Sequence, residues 1–110
     1  MKFRFTKHAK SRLWLHFKWI TERDVCFDIT DKIYKLQLDT VRDMYYLSTS
    51  LAVYIISKDM CIITMYRKDW RRMNPIREKM SRKKIDEILY YYQKDDTMEC
   101  EWHQDCGLWA

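Results

Sequence analysis

Leu51-Ala52-Val53-Tyr54-Ile55-Ile56-Ser57-Lys58-Asp59-Met60-Cys61-Ile62-Ile63-Thr64-Met65-Tyr66-Arg67 decides the fold of this chain. Two runs rich in β-branched and aromatic residues flank a four-residue break, Ser57 to Met60. Side chains of this kind pack well on a pleated, half-buried surface, so each run is expected as a strand. The short break makes the strands antiparallel neighbours, and because it lacks glycine the turn should be a loose one. Upstream, residues 33–38 and 44–47 have the same character. Four consecutive strands are therefore expected between Ile33 and Arg67.

Before them the periodicity is different. Residues 2–6 alternate, which suits a short strand with Phe3 and Phe5 on its buried face. From Lys7 to Trp19 the apolar residues Ala9, Leu13, Phe17 and Ile20 recur every three or four positions, with Lys10 and Lys18 elsewhere on the wheel. That is an amphipathic, basic helix. Thr21 and Asp24 have the spacing of an N-cap and an acid at N3, and Val25 and Ile29 continue an apolar stripe, so a second short helix should end near Thr30. After the strands, Asn74-Pro75 can start a third helix running to about Lys94, with Ile76, Met80, Ile85, Ile88, Leu89 and Tyr92 near one side. The expected class is α+β: an N-terminal strand and two helices on a curved antiparallel sheet of about four to five strands, then a C-terminal helix and an acidic tail.

A chain of 110 residues holds one core. With 47% hydrophobic residues, one Gly and one Pro, it is not of disordered, collagen-like or linker-rich composition. Charge divides it into a basic domain, residues 1–94, with 21 Lys and Arg against 11 acids, and a tail, residues 95–110, with five acids and no Lys or Arg. A basic body favours a polyanionic partner, either nucleic acid or an acidic protein. The first twenty residues interleave charges with apolar positions, so no signal peptide is read there, and the apolar runs are too short for a membrane span. A cytoplasmic protein with no membrane partner is expected. Its four cysteines are expected as free thiols.

Three phrases together carry a resemblance: His8-Ala9-x-x-Arg12 opening the first helix, Ile20-Thr21-Glu22-Arg23-Asp24-Val25 at the second, and Ile62-Ile63-Thr64-Met65-Tyr66 in the last strand. In this order and spacing the chain, over roughly residues 3–68, resembles small RelE/ParE-like toxin-fold proteins of an uncharacterised bacterial and phage branch. The resemblance implies a curved antiparallel sheet packed against N-terminal helices, in a superfamily containing many metal-independent ribonucleases. It implies no uniform activity for the branch, and it stops short of the third helix and the tail.

The residues themselves are compatible with RNA cleavage. In metal-free cleavage a 2′-hydroxyl attacks the neighbouring phosphate, which calls for a base, an acid and positive charge. His8 and Arg12 stand four apart on one helix face, so an imidazole lies beside a guanidinium. Tyr66 offers a proton donor or a positioning hydroxyl, on the same strand face as Thr64. The candidate catalytic set is His8, Arg12 and Tyr66. Each also has an ordinary structural reading: a solvated first-turn histidine, a solvated arginine, a core tyrosine.

Positive charge is concentrated after the sheet. Lys10, Arg67, Lys68, Arg71, Arg72, Arg77, Arg82 and Lys83, with Trp70 for stacking, form the candidate surface for nucleic acid or another partner, against the alternative of a solvated basic face. Cys100-x-x-His103-x-x-Cys106 has zinc-ligand residue types but no second pair at zinc-finger spacing, so it is a weaker alternative to tail docking. No cofactor is expected. There is no P-loop, Gly-rich nucleotide turn or serine-hydrolase elbow, which sets those enzyme classes aside. Two functions remain open: an RNA- or ribosome-directed protein, with or without endoribonuclease activity and an antitoxin partner, and a non-catalytic phage-type protein that binds and inhibits a host or defence complex.

Overall fold

In the computed structural model of the chain, which describes residues 3–68 and 77–94, residues 51–67 form the expected hairpin. Strands β4 (Val53–Ile56) and β5 (Cys61–Tyr66) run antiparallel. Their turn is closed by the amide of Ser57 donating to the carbonyl of Cys61 at 2.8 Å and that of Met60 to Ser57 at 2.9 Å. Without a glycine, Met60 takes the left-handed conformation itself, at φ 64°. Its side chain is fully buried, and that burial offsets the backbone cost.

The remaining elements are β1 (Arg4–Phe5), α1 (Lys7–His16), α2 (Glu22–Asp31), a 3-10 turn (Ile33–Lys35), β2 (Gln37–Asp39), β3 (Met44–Ser48), β6 (Arg77–Lys79) and α3 (Arg82–Lys94). The fold is α+β, with six strands in the order β1-β5-β4-β3-β2-β6. Strands β2 to β5 form the expected meander, and β6 adds antiparallel to β2. The sheet is mixed, because β1 joins β5 in parallel, Arg4 opposite Cys61 and Phe5 opposite Ile62.

Pleat alternation sorts the side chains into two clusters. Tyr45, Leu47, Tyr54, Ile56, Ile62 and Met65 join the core that Ala9 and Leu13 of α1, Val25 and Ile29 of α2 and Ile85 of α3 complete. Met44, Tyr46, Val53, Ile55 and Ile63 form the cluster on the opposite face. Within β5 the register steps from Thr64 opposite Ile55 to Ile62 opposite Ile56. Ile63 is the extra residue of a bulge, which bends the strand where α1 begins.

Several boundaries differ from the sequence expectation, for local reasons. Residues 33–35 form a 3-10 turn, and only Gln37–Asp39 pair as strand. Asp39, 1% exposed, ends that strand by accepting the amides of Val41 (3.0 Å) and Arg42 (3.2 Å). The third helix begins at Arg82 and not at the Asn74-Pro75 break, because Ser81 caps it: its hydroxyl accepts the amide of Lys84 and its carbonyl that of Ile85. Residues 77–79, expected as helix, are the edge strand β6, all exposed. Helix α3 is further held to the 3-10 turn by the Tyr34 phenol donating to Asp86 at 2.8 Å and by Arg82 lying 4.5 Å over the Tyr34 ring. Cys26 is a free buried thiol, as expected. Cys61 is disulfide-bonded, which departs from the expectation.

Candidate functional site

Thr6 sets the position of α1. Its hydroxyl caps the helix by accepting the amide of Ala9 at 3.0 Å and donates to the carbonyl of Ile63 at 2.7 Å. The first turn is thereby tied to the β5 bulge. At the other end, His16 and Phe17 line one cleft with Arg67 and Lys68, which follow β5, so the helix runs beside the second half of that strand. The lengths agree: ten helical residues rise about 15 Å, and four strand steps from Ile63 to Arg67 cover about 13 Å.

Ala9 and Leu13 bury the inner face of α1. Beside them His8, Arg12 and His16, spaced i, i+4, i+8, form a continuous half-buried stripe. Arg12 Nε donates to His8 Nε2 at 3.4 Å, and Arg12 Nη1 contacts His16 Nε2 at 3.5 Å. A guanidinium can only donate, so His8 Nε2 accepts from Arg12. The two Nε2 atoms are therefore at most roughly 9 Å apart, from those contacts and the width of one guanidinium.

The stripe ends in a cleft of about 280 Å³ lined by His16, Trp19, Ser50, Leu51, Arg67 and Lys68 among others. Trp19 is 75% exposed, so its ring is available to a ligand in or beside the cleft. Arg67 and Lys68 are exposed at the end of β5. A narrow region thus holds two permanent cations, an imidazole and an open indole. That combination suits a phosphate with an attached base: guanidinium and ammonium for the anion, indole for the π-face.

The structure brings His8 and Arg12 together as expected and adds His16, which the sequence reading passed over. The i+8 spacing from His8 was visible in the sequence. Tyr66 packs against the cluster of Tyr46, Val53, Ile55 and Ile63, on the sheet face that Ala9 and Leu13 do not touch. Opposite Val53 in register, it shares that face with Thr64. Of the expected basic surface, Arg67 and Lys68 line the cleft, and Lys10 and Lys83 are exposed on α1 and α3. Arg77, expected on a helix, lies on β6 with its guanidinium 4.4 Å over Tyr46, and Arg82 is engaged with Tyr34. Those two pack on aromatic rings within the fold. Trp70, Arg71 and Arg72 and the triplet Cys100, His103 and Cys106 lie outside the described residues. Among the described residues no cluster of His, Cys, Asp and Glu has metal-site geometry, and no helix is long and apolar enough to cross a membrane.

A second concavity, about 430 Å³, lies between β1 and α2 and is lined by Phe3, Phe5, Glu22, Arg23, Cys26, Phe27 and Thr30. Its lining is mostly apolar, and Phe27 on its rim is 63% exposed. It contains one acid and one base and no phosphate-binding cluster. No protein-family model, no curated protein and no solved structure matches this chain.

Proposed function

We propose that this protein is directed to RNA, whose phosphate backbone it engages along the outer stripe of α1 and in the cleft at its end. One observation carries this reading: Arg67 and Lys68 line one cleft with His16 and the exposed Trp19 at the end of a helix face that also holds Arg12. Phosphate contact requires clustered Lys and Arg, and affinity gained this way depends on released counterions. A base splayed from a single strand has a stacking surface in Trp19, whereas bases inside a duplex have none to offer. The net +10 of residues 1–94 favours approach of any polyanion. The resemblance of residues 3–68 to RelE/ParE-like proteins accords with an RNA target.

The test is titration of a labelled single-stranded RNA at several salt concentrations. Binding that weakens with salt and is reduced in Arg67→Ala/Lys68→Ala supports the proposal, and equal binding by that variant removes it.

A second reading has its own observation. Trp14, 78% exposed, and Leu15 lie on α1 away from the cleft, and Phe27 borders the apolar concavity. Exposed large apolar side chains of this kind suit a protein partner, including a host or defence complex bound without catalysis. RNA is favoured because Arg12, Arg67 and Lys68 gather with the histidines, whereas the apolar concavity holds one base, Arg23, with one acid, Glu22.

A further inference from the structure

We propose that the cleft at the end of α1 takes the terminal nucleotide of an RNA, with Arg67 and Lys68 holding its phosphomonoester. The inference rests on the RNA-directed reading and adds which part of the strand the cleft holds.

Size sets the first limit. Sites that enclose drug-sized ligands run from about 300 to 1,000 Å³, and this cleft, at about 280 Å³, lies just below that range. It has room for one nucleotide and not for a run of them. Phe17 and Ile20, both buried, and the half-buried Leu51 give it an apolar inner wall, and the exposed Trp19 stands at its side. A base suits such a surface, because its flat faces shed water readily and stack on an indole.

Charge sets the second limit. Along a strand, consecutive side chains point to opposite faces, so Arg67 and Lys68 would diverge if β5 continued. The strand ends at Tyr66, the chain turns at Lys68, and both cations line the same cleft. The register brings the β3–β4 turn beside them, since Val53 stands opposite Tyr66, and that turn contributes Ser50 to the lining. No acid stands among the described lining residues.

The Cα atoms of consecutive residues are about 3.8 Å apart, which directs both head groups at one anion more readily than at two successive phosphates. A phosphodiester within a strand carries a single negative charge. A terminal phosphomonoester carries about 1.5 to 2 at pH 7, with three oxygens that accept hydrogen bonds. A guanidinium fork and an ammonium together match the monoester in charge and in acceptors. An internal nucleotide would leave the pair with a charge in excess, and the strand would have to leave the cleft on two sides.

The experiment measures the affinity of the full-length chain for four forms of one short single-stranded RNA: with a 5′-phosphate, with a 3′-phosphate, with hydroxyls at both ends, and closed into a circle. At least one phosphorylated form should bind about ten- to hundredfold tighter than the hydroxyl-ended and circular forms, the worth of a hydrogen bond to a charged group. Which form does so tells one end of the strand from the other. Arg67→Ala/Lys68→Ala should remove this preference, and Arg67→Gln/Lys68→Gln, which keeps two long side chains, gives the same reading should the alanine variant fail to fold. Lys35→Ala, at an exposed lysine of the 3-10 turn, should keep the preference. That comparison separates a hold on the strand end from the general attraction of one more charge. Equal affinity for all four forms overturns the inference and leaves the RNA-directed reading standing. A preference that survives in Arg67→Ala/Lys68→Ala overturns the assignment to this cleft, and failure to bind any form removes both.

Discussion

Tyr54 and Asp28 share a hydrogen bond of 2.7 Å, the phenol Oη donating to carboxylate Oδ2, between β4 and α2. The same oxygen accepts from Thr49 Oγ1 at 2.5 Å, and Thr49 in turn caps the β3–β4 turn by accepting the amides of Leu51 and Ala52. One carboxylate thus fixes α2 against the meander. Tyr54→Phe keeps the ring in its fully buried place and removes only the bond. Hydrogen bonds to charged groups contribute about 1.5 to 3 kcal/mol, and a loss of that size should appear in urea unfolding. Unchanged stability would mean that the carboxylate finds an equal partner in water.

The same tyrosine predicts an alkaline limit. Burial first, and then its bond to Asp28, push the Tyr54 phenol well above the ordinary tyrosine value. Burial and the nearby Asp43 raise Tyr45 as well. The unfolded chain loses these protons near the ordinary pKa of about 10 while the folded chain keeps them. This contribution is fully present below that pH and is lost as pH rises from it toward the folded values. Stability measured by urea from about pH 8 to about pH 11.5 should fall above about pH 10, less steeply in Tyr54→Phe. A flat profile would contradict the burial of both phenols.

The capping box of α2 is reciprocal: Thr21 Oγ1 accepts the amide of Asp24 at 3.1 Å, and Asp24 Oδ2 accepts that of Thr21 at 2.9 Å. Thr21→Ala should cost about 1 kcal/mol, read by thermal or urea unfolding. The backbone amide of Thr21, then its hydroxyl, hold the Asp24 carboxyl below its ordinary range. Its contribution is therefore present above the ordinary carboxylate pKa and is lost as pH falls through the lowered value. An NMR titration of Asp24 should move upward in Thr21→Ala, and an unmoved titration would contradict the box.

Helix α3 joins the core through Ile85, which is fully buried, with Ile88, Leu89 and Met80 packed partly against the same cluster. Ile85→Ala should destabilise the fold by about 2 to 5 kcal/mol. A much smaller loss would show that α3 does not share the core of the sheet.

The meander was legible because strand runs and hairpin spacing are local signals, and the 44–47, 51–57 and 61–67 runs each pair as strands. The α2 start was legible for the same reason, since Thr21 and Asp24 are their own cap. The parallel pairing of β1 with β5 was not, because it depends on contacts between Arg4 and Cys61, 57 residues apart. Strand β6 was hidden too: Arg77, Glu78 and Lys79 are exposed, carry no apolar alternation, and become strand only because β2 offers them an edge. At the site, His8 and Arg12 could be read from one helical turn. His16 needed a second turn, and the approach of Arg67 and Lys68 needed the helix laid beside β5. Arg77 and Arg82 illustrate the converse, since charge in a sequence does not reveal that a ring lies beneath it.

The claim that α1 and its cleft form an RNA-engaging surface is tested most directly by the salt dependence of binding to a single-stranded RNA. The slope of log affinity against log salt reports the phosphates neutralised, about 0.7 for each on a single strand. Wild type should show clear salt dependence, and Arg67→Ala/Lys68→Ala should lower the slope by about 1.4 while Arg12→Ala weakens binding further. Equal affinity and equal slope for wild type and all three substitutions would contradict the account and move the function to the apolar surface around Trp14 and Phe27.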